Sequence, residues 1–411
     1  MTESLFTGLK VIDCASWIAG PAAATMLSDF GADVIKIEPP GEGDPWRASQ
    51  PIPGKKVDYH WRLTSRNKRS LALDLKHADG QAELHRLAAS PGCIAWLHRL
   101  AASADVFVTN FPLPVRDRLG MAPADLLPLN PRLIYASFTA YGEEGEEAAK
   151  TGFDSTAYWA RTGLMDMVRS DADTVPSRSM PGMGDHPSAT GLYAAIVTAL
   201  YRREKTGQGG VVRSSLLQNG LWANGCAVQT RLFGEQLDLR PHRDHAPNAL
   251  ANHYRSRDGR WFIMALFNEQ RQLRSFLGAI GREELTDDPR FATPEARKQH
   301  ARELVIILDE IFSRRDLAEW RAVLDAVGIT FGIVATVNEA LHDPQMRHSG
   351  ALVPFGDGQG LTVMTPFHID GVNKVPATRA PSVGQHNESV LLEAGYSADD
   401  VERLRGLGVV A

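Results

Sequence analysis

Apolar positions near the N-terminus fall into short runs separated by stretches with helical spacing. Val11-Ile12-Asp13-Cys14 is suited to a buried parallel strand. Gly20-Pro21 punctuates it, Ala22 to Phe30 predicts a helix, and Gly31 is placed to stop that helix. Val34 to Ile37 predicts the next strand, ended by Pro39-Pro40-Gly41. Ser70 to Leu75, a helical stretch and Asp105 to Thr109 repeat the pattern, and Leu133 to Phe138 predicts a further strand. Gly191 to Glu204 is the strongest helical segment, closed by Thr206 to Gly210. Tyr254 to Leu266 predicts a hairpin turning at Arg257-Asp258-Gly259, and helical segments run from Glu269 to about Val327. The tail from His342 holds two β-like runs and a last helix ending near Leu407. Strands alternating with helices imply an α/β fold with a mostly parallel, Rossmann-like sheet, and a smaller second domain later in the chain. Leu84 to Ser90 recurs identically as Leu97 to Ser103. Two copies at so short a period indicate a local tandem duplication that lengthens a crossover helix or a loop, not a solenoid.

Composition narrows the classes. The chain of 411 residues is 43% hydrophobic and 23% charged, enough to bury a large core without staples. A net charge of −5 argues against a broad basic face, so no nucleic-acid partner is expected. Cys14, Cys93 and Cys226 are unclustered, which suits neither a disulfide framework nor a thiolate zinc site. The first residues lack a basic segment followed by an apolar one, and Gly191 to Tyr201 is too short to span a bilayer. A soluble cytoplasmic protein without a membrane partner is the expectation.

The turn after the first strand reads Ala15-Ser16-Trp17-Ile18-Ala19-Gly20, without the glycines that would cradle a dinucleotide pyrophosphate. The strongest candidate for chemistry is Gly182-Met183-Gly184-Asp185-His186-Pro187-Ser188-Ala189-Thr190-Gly191, directly before the strongest helix. Glycines place Asp185 on a tight turn, Ser188 or Thr190 can cap the helix, and a carboxylate there is favoured in its ionised form by ~0.3–1 kcal/mol. Ionised, Asp185 could serve as nucleophile or base; equally, it could belong only to a capping turn. His186 could complete a dyad or be structural. No His pair has metal-ligand spacing, so no metal is expected, and no G-x-S-x-G elbow is present. Asn67-Lys68-Arg69 and Arg116-x-Arg118 read as solvated faces, with phosphate contacts as the alternative.

Taken together, these blocks resemble the class III CoA-transferases, the CaiB/BaiF family, over nearly the whole chain. The matching stretches are GLKVIDCASWIAGPAAATMLSDFGADVIKIEPPGEGD, SRNKRSLALDLK, ADVFVTNF with RDRLG, TGFDSTAYWARTGLM, GMGDHPSATGLYAAIVTALYRREKTGQGG and APSVGQHNESVLLEAG. The family usually carries one copy of the helix before ADVFV, so the repeat reads as an insertion. The resemblance implies a ring-shaped chain that interlocks with a second copy as a homodimer. Residues 1–215 and 335–411 would form the large CoA-binding domain and 240–310 the small one, with 216–239 and 311–334 as linkers. It implies Asp185 as the covalent nucleophile, with CoA contacts at Ile18, Ala19, Leu73, Lys76, Asn110, Phe111 and Arg118. An acyl-CoA and a carboxylic acid would be the substrates, with no cofactor beyond the CoA they carry. Formyl-CoA transferase, a well-known member, has glutamine, arginine and lysine where Ile18, Pro39 and Thr151 stand or nearby. One polar and two cationic groups are therefore missing, departures that bear on the details of CoA phosphate binding and on oxalate or formate as substrates. The family's α-methylacyl-CoA racemases are the alternative. They place a histidine before the aspartate of their Gly-His-Asp block, where this chain has Gly152-Phe153-Asp154, and phenylalanine cannot exchange a proton. A CoA-binding protein without catalysis is the third reading.

Overall fold

The computed structural model describes residues 4–49, 58–76 and 93–410. Six strands form one parallel sheet: β1 (Lys10–Cys14), β2 (Asp33–Glu38), β3 (Lys68–Ala72), β4 (Val106–Thr109), β5 (Ile134–Thr139) and β6 (Gly210–Ser215). Their order is β3-β2-β1-β4-β5-β6, so the winding direction reverses between β1 and β4. Ligands of doubly wound folds bind outside the carboxyl ends of the strands at such a reversal.

Side chains alternate between the two faces of the strands, and both faces are largely buried in β1 to β5 while β6 is half-buried. Val11, Val34, Val106 and Ile134 pack on one face beneath α1 (Ala19–Asp29) and α5 (Asp185–Thr206). Ile12, Ile35, Phe107 and Tyr135 face the other way, against Leu97 and Leu100 of α3 (Cys93–Ala102) and the C-terminal helices. Two further helices, α2 (Tyr59–Ser65) and α4 (Leu113–Arg118), precede β3 and follow β4. Every residue of α1 is buried, which explains its alanine-rich, uncharged start. The second copy of the repeat lies in α3, the crossover helix between β3 and β4; the first, Leu84 to Ser90, lies outside the described residues.

The sheet belongs to a compact unit made of Met1–Leu164, Arg178–Gln229 and Gln345–Ala411. Its later parts include α6 (Leu216–Ala223), which follows β6 directly. A second unit comprises Met165–Ser177 and Thr230–Pro344. In it β7 (His253–Arg255), β8 (Trp261–Met264) and β9 (Phe331–Ile333) form an antiparallel sheet, and the hairpin turns at Arg257-Asp258-Gly259. The helices α7 (Glu269–Ala279), α8 (Ala301–Phe312) and α9 (Leu317–Ala326) cover that sheet around Phe262, Phe276, Phe312 and Trp320. The tail adds a small hairpin, β10 (Leu352–Pro354) with β11 (Leu361–Val363), then α10 (Asn387–Glu393) and α11 (Ala398–Gly406) in the first unit.

Candidate active site

Asp185 is the first residue of α5, with Gly184 as N-cap, so this helix begins six residues before the expected Gly191. Pro187 reads as a breaker in the sequence, yet proline is tolerated in a first turn, where its missing N–H has no partner to lose. Neither expected cap forms. Ser188 Oγ donates to Gly184 O (2.7 Å) and Thr190 Oγ1 to His186 O (3.2 Å), each bonding back one turn. The turn itself requires its glycines. Gly182 has φ of +89°, and a Cβ on Gly184 would lie 2.8 Å from Tyr158 Cγ and 2.9 Å from Asp154 Cβ.

Asp154 holds this turn from outside. It opens a short π-helical segment, Asp154–Ala160, and its buried Oδ2 accepts from the backbone N–H groups of Gly182 (3.0 Å) and Gly184 (3.3 Å). Glycine N–H groups beside Asp185 would be natural oxyanion donors, but these two are already engaged. Asp154 also acts on Asp185 electrostatically. Burial, and then the nearby Asp154 charge, push the Asp185 carboxyl up to about 7. A shift of this size is worth roughly 4 kcal/mol against ionisation, several times the helix-terminus effect expected from the sequence. Burial and Asp154 therefore outweigh the helix terminus, and Asp185 ionises less readily than an ordinary aspartate. His186 packs under the same turn, its Cε1 3.0 Å from where a Gly182 Cβ would sit. Its burial lowers its basicity, and its buried Nε2 meets no partner among the described residues.

The sheet reversal lies beside this turn. Asn110, just beyond β4, clamps the loop after β1: its Oδ1 accepts from Ser16 N (2.8 Å) and its Nδ2 donates to Ser16 O (2.7 Å). Ile18 is the N-cap of α1, and its Cδ1 comes within 3.8 Å of the Gly182 Cβ position, so the first loop and the Asp185 turn are neighbours. Ile18 and Ala19 are buried, Phe111 is half-buried, and Arg118 is exposed at the end of α4. Leu73 and Lys76 follow β3, on the far side of β2 from β1. Leu73 is buried and bridges to Val410, whereas Lys76 is exposed.

Apart from Arg118, the basic clusters are not the solvated faces their sequence suggested. Lys68 is fully buried, donating to Asp13 Oδ2 (2.8 Å) and to the carbonyls of Pro21 and Thr64, and burial lowers its pKa to about 8. Arg69 is shared between Asp33 and Glu393. Arg116 is buried behind the β4 loop, where Nε donates to Phe111 O (2.6 Å) and Nη1 to Ser137 Oγ (2.5 Å). Of these cations only Arg118 and Lys76 remain open to an anionic ligand. Two residues went unread in the sequence. Asp154 clamps the Asp185 turn, and Asp44, in the Gly-Glu-Gly-Asp stretch, accepts from the backbone of Trp17 (3.2 Å). Nothing in a one-dimensional pattern marks a carboxylate that will accept from a backbone dozens of residues away.

Residues 6–387 match CoA-transferase family III. This chain belongs to that family. It is 31% identical to the (R)-2-hydroxy-4-methylpentanoate CoA-transferase of Clostridioides difficile, covering 99% of both chains. It is 30% identical to the cinnamoyl-CoA:phenyllactate CoA-transferase of Clostridium sporogenes, covering 98% of this chain and 96% of that one. The crystal structure of a CaiB/BaiF family protein from Brucella suis superposes with a TM-score of 0.82 at 28% identity, over 96% of this chain and all of that one. The transferase therefore has the α/β fold that its sequence implied. Among the described residues no helix is long and apolar enough to cross a membrane, and no three metal-binding side chains converge.

Proposed function

We propose that this family III enzyme moves CoA from an acyl-CoA thioester to a carboxylic acid, with Asp185 as the covalent nucleophile. The observation that carries this reading is the placement of Asp185. It heads α5 on a glycine turn clamped by Asp154, beside the loop where β1 and β4 part. CoA lies across that reversal, along the edge formed by Ile18, Ala19, Asn110 and Phe111, with Leu73, Lys76 and Arg118 towards its ends.

The Asp185 carboxylate attacks the thioester carbonyl, the C–S bond breaks, and an aspartyl anhydride forms with release of CoA thiolate. The thiolate attacks the aspartyl carbonyl and expels the donor acid, leaving an aspartyl-CoA thioester. The acceptor carboxylate attacks that thioester and expels the thiolate again. The thiolate then attacks the acceptor's acyl carbon, forming the new acyl-CoA and restoring Asp185. Bonds of similar energy are exchanged throughout, so positioning and charge stabilisation matter more than a strong base. Because Gly182 and Gly184 are engaged by Asp154, the oxyanion takes its donors from other groups.

Incubation with acyl-CoA in the absence of acceptor, followed by hydroxylamine, should place a hydroxamate on the peptide containing Asp185, and Asp185→Ala should abolish transfer. A labelled peptide lacking Asp185 would exclude the mechanism. With Phe153 in place of a second base, a chiral 2-methylacyl-CoA in deuterium oxide should gain no enzyme-dependent α-deuterium; rapid exchange would favour racemisation. The ring-shaped chain and its interlocking with a second copy belong to the same reading, supported by family membership and checked by sedimentation of the purified protein.

A further inference from the structure

Three large apolar side chains stand open to solvent around the Asp185 turn. Trp17 is 40% exposed, Phe153 is 56% exposed and Met183 is 52% exposed. They come from three separate segments. Met183 sits between the two turn glycines, Phe153 precedes the clamping Asp154, and Trp17 precedes Ile18, which touches the turn. The Trp17 and Phe153 rings meet edge to face, with centroids 5.7 Å apart and planes at 83°. The Trp17–Phe153 pair, beside a turn that carries the exposed Met183, gives apolar surface near Asp185 with the composition of a subsite for an apolar ligand.

The backbone of Trp17 is held in a conformation that bulky residues avoid. Its φ is +69°, in the left-handed region. A chain of buried charge enforces it. Asp44 Oδ1 accepts from Trp17 N (3.2 Å) and from Trp46 N (2.9 Å), and Asp44 Oδ2 pairs with Lys36 Nζ at 2.8 Å. Lys36 also donates to Ala15 O, tying the same loop from its other side. The Trp17 indole leans on Trp46, which stacks on His60 with centroids 5.0 Å apart. A strained tryptophan kept exposed by buried ion pairs serves a ligand better than it serves the core.

We propose that Trp17, Phe153 and Met183 form the subsite for the acyl side chain, that this subsite selects acids with an aryl or branched-alkyl group over short linear ones, and that Asp44 is the positioning residue that sets Trp17. Met183 supplies the adaptable wall and the two rings the rigid ones. The proposal rests on Asp185 being the acylated group, since the subsite is defined by its distance from that turn.

The test compares kcat/KM for 3-phenylpropanoyl-CoA and acetyl-CoA as donors, with propanoate as common acceptor. Trp17→Ala should lower the phenylpropanoyl-to-acetyl ratio about tenfold or more, through KM, and Trp17→Phe should restore most of it. Asp44→Asn should lower the same ratio in the same direction, a change that a general loss of folded protein would not produce, since it cancels in the ratio. Hydroxylamine labelling of the wild-type protein with acetyl-CoA separates the two readings. If Asp185 is labelled while Trp17→Ala leaves the ratio unmoved, the subsite is wrong and the mechanism stands. If Asp185 is not labelled, the mechanism fails and the subsite loses its anchor with it.

Discussion

Replacing Asp185 by asparagine should stabilise the protein while removing its activity. The carboxyl ordinarily titrates near 3.8 and is pushed up to about 7 in the fold by burial and by Asp154. Three pH units correspond to about 4 kcal/mol, and solvent at the partly accessible carboxylate reduces this to roughly 2–4 kcal/mol. The sign follows from proton binding. Between about pH 4 and pH 7 the unfolded chain has released this proton and the folded one has not, so stability falls as pH rises. The destabilisation is complete above about pH 7 and absent below about pH 4. Asparagine has no charge to lose on burial and puts no like charge near Asp154. Asp185→Asn should therefore melt higher than the parent at pH 8, by roughly 2–5 °C for a chain of this length, and the gain should shrink towards zero at pH 4. Urea midpoints at the two pH values check the same difference. A midpoint at pH 8 equal to or below the parent's would refute the reasoning, as would a gain that persists undiminished at pH 4.

The same tuning should appear in turnover: kcat/KM for an acyl-CoA donor should rise with pH through about 7 as Asp185 ionises, read from initial rates across pH 5 to 9. Gly184→Ala should cost ~1–3 kcal/mol of stability and most of the activity, because the added methyl meets Tyr158 and Asp154 below 3 Å; thermal melts and steady-state rates report both. Asn110→Ala removes two hydrogen bonds to the Ser16 backbone, and titration calorimetry with CoA should show binding weakened about tenfold while stability, read from urea midpoints, falls by only ~1–3 kcal/mol.

How legible these features were depended on whether their causes were local. The runs Val11–Cys14 and Val34–Ile37 announced buried strands because both faces of a parallel strand need apolar side chains, and β1 and β2 contain them. The second strand pair was blurred where charge entered the sheet. Ser70–Leu75 was expected, but β3 runs Lys68–Ala72, since Lys68 and Arg69 find Asp13 and Asp33 across the fold. β6 was hidden for a related reason. Gly209-Gly210 reads as a breaker, yet a Cβ on Gly209 would fall on Leu133 O, so glycine is what lets this strand close on β5. Asp185 was visible as a turn aspartate, while its ionisation was not, because burial and Asp154 belong to the assembled site. The open aromatic pair went unseen as a pair because Trp17 and Phe153 are far apart in the chain.

The tail reaches back to the first strands of the sheet. Val375 N donates to Asp29 O, His386 N to Ser70 O and Asp74 N to Val409 O, while Asn387 Oδ1 accepts from Ala72 N. Side chains of α10 and α11 fill the face of β1 and β3 around Val390, Leu391, Val401 and Leu404. The N-terminal strands therefore leave the ribosome long before the residues that cover them. Until the tail arrives, β3 has an unpaired edge and one apolar face in water, the two features that recruit chaperones and invite intermolecular pairing. Contacts spanning some three hundred residues also raise the contact order, and loop closure must precede the contacts that reward it. The segment that covers the parallel sheet thus sets when, during synthesis, the protein first becomes safe from aggregation.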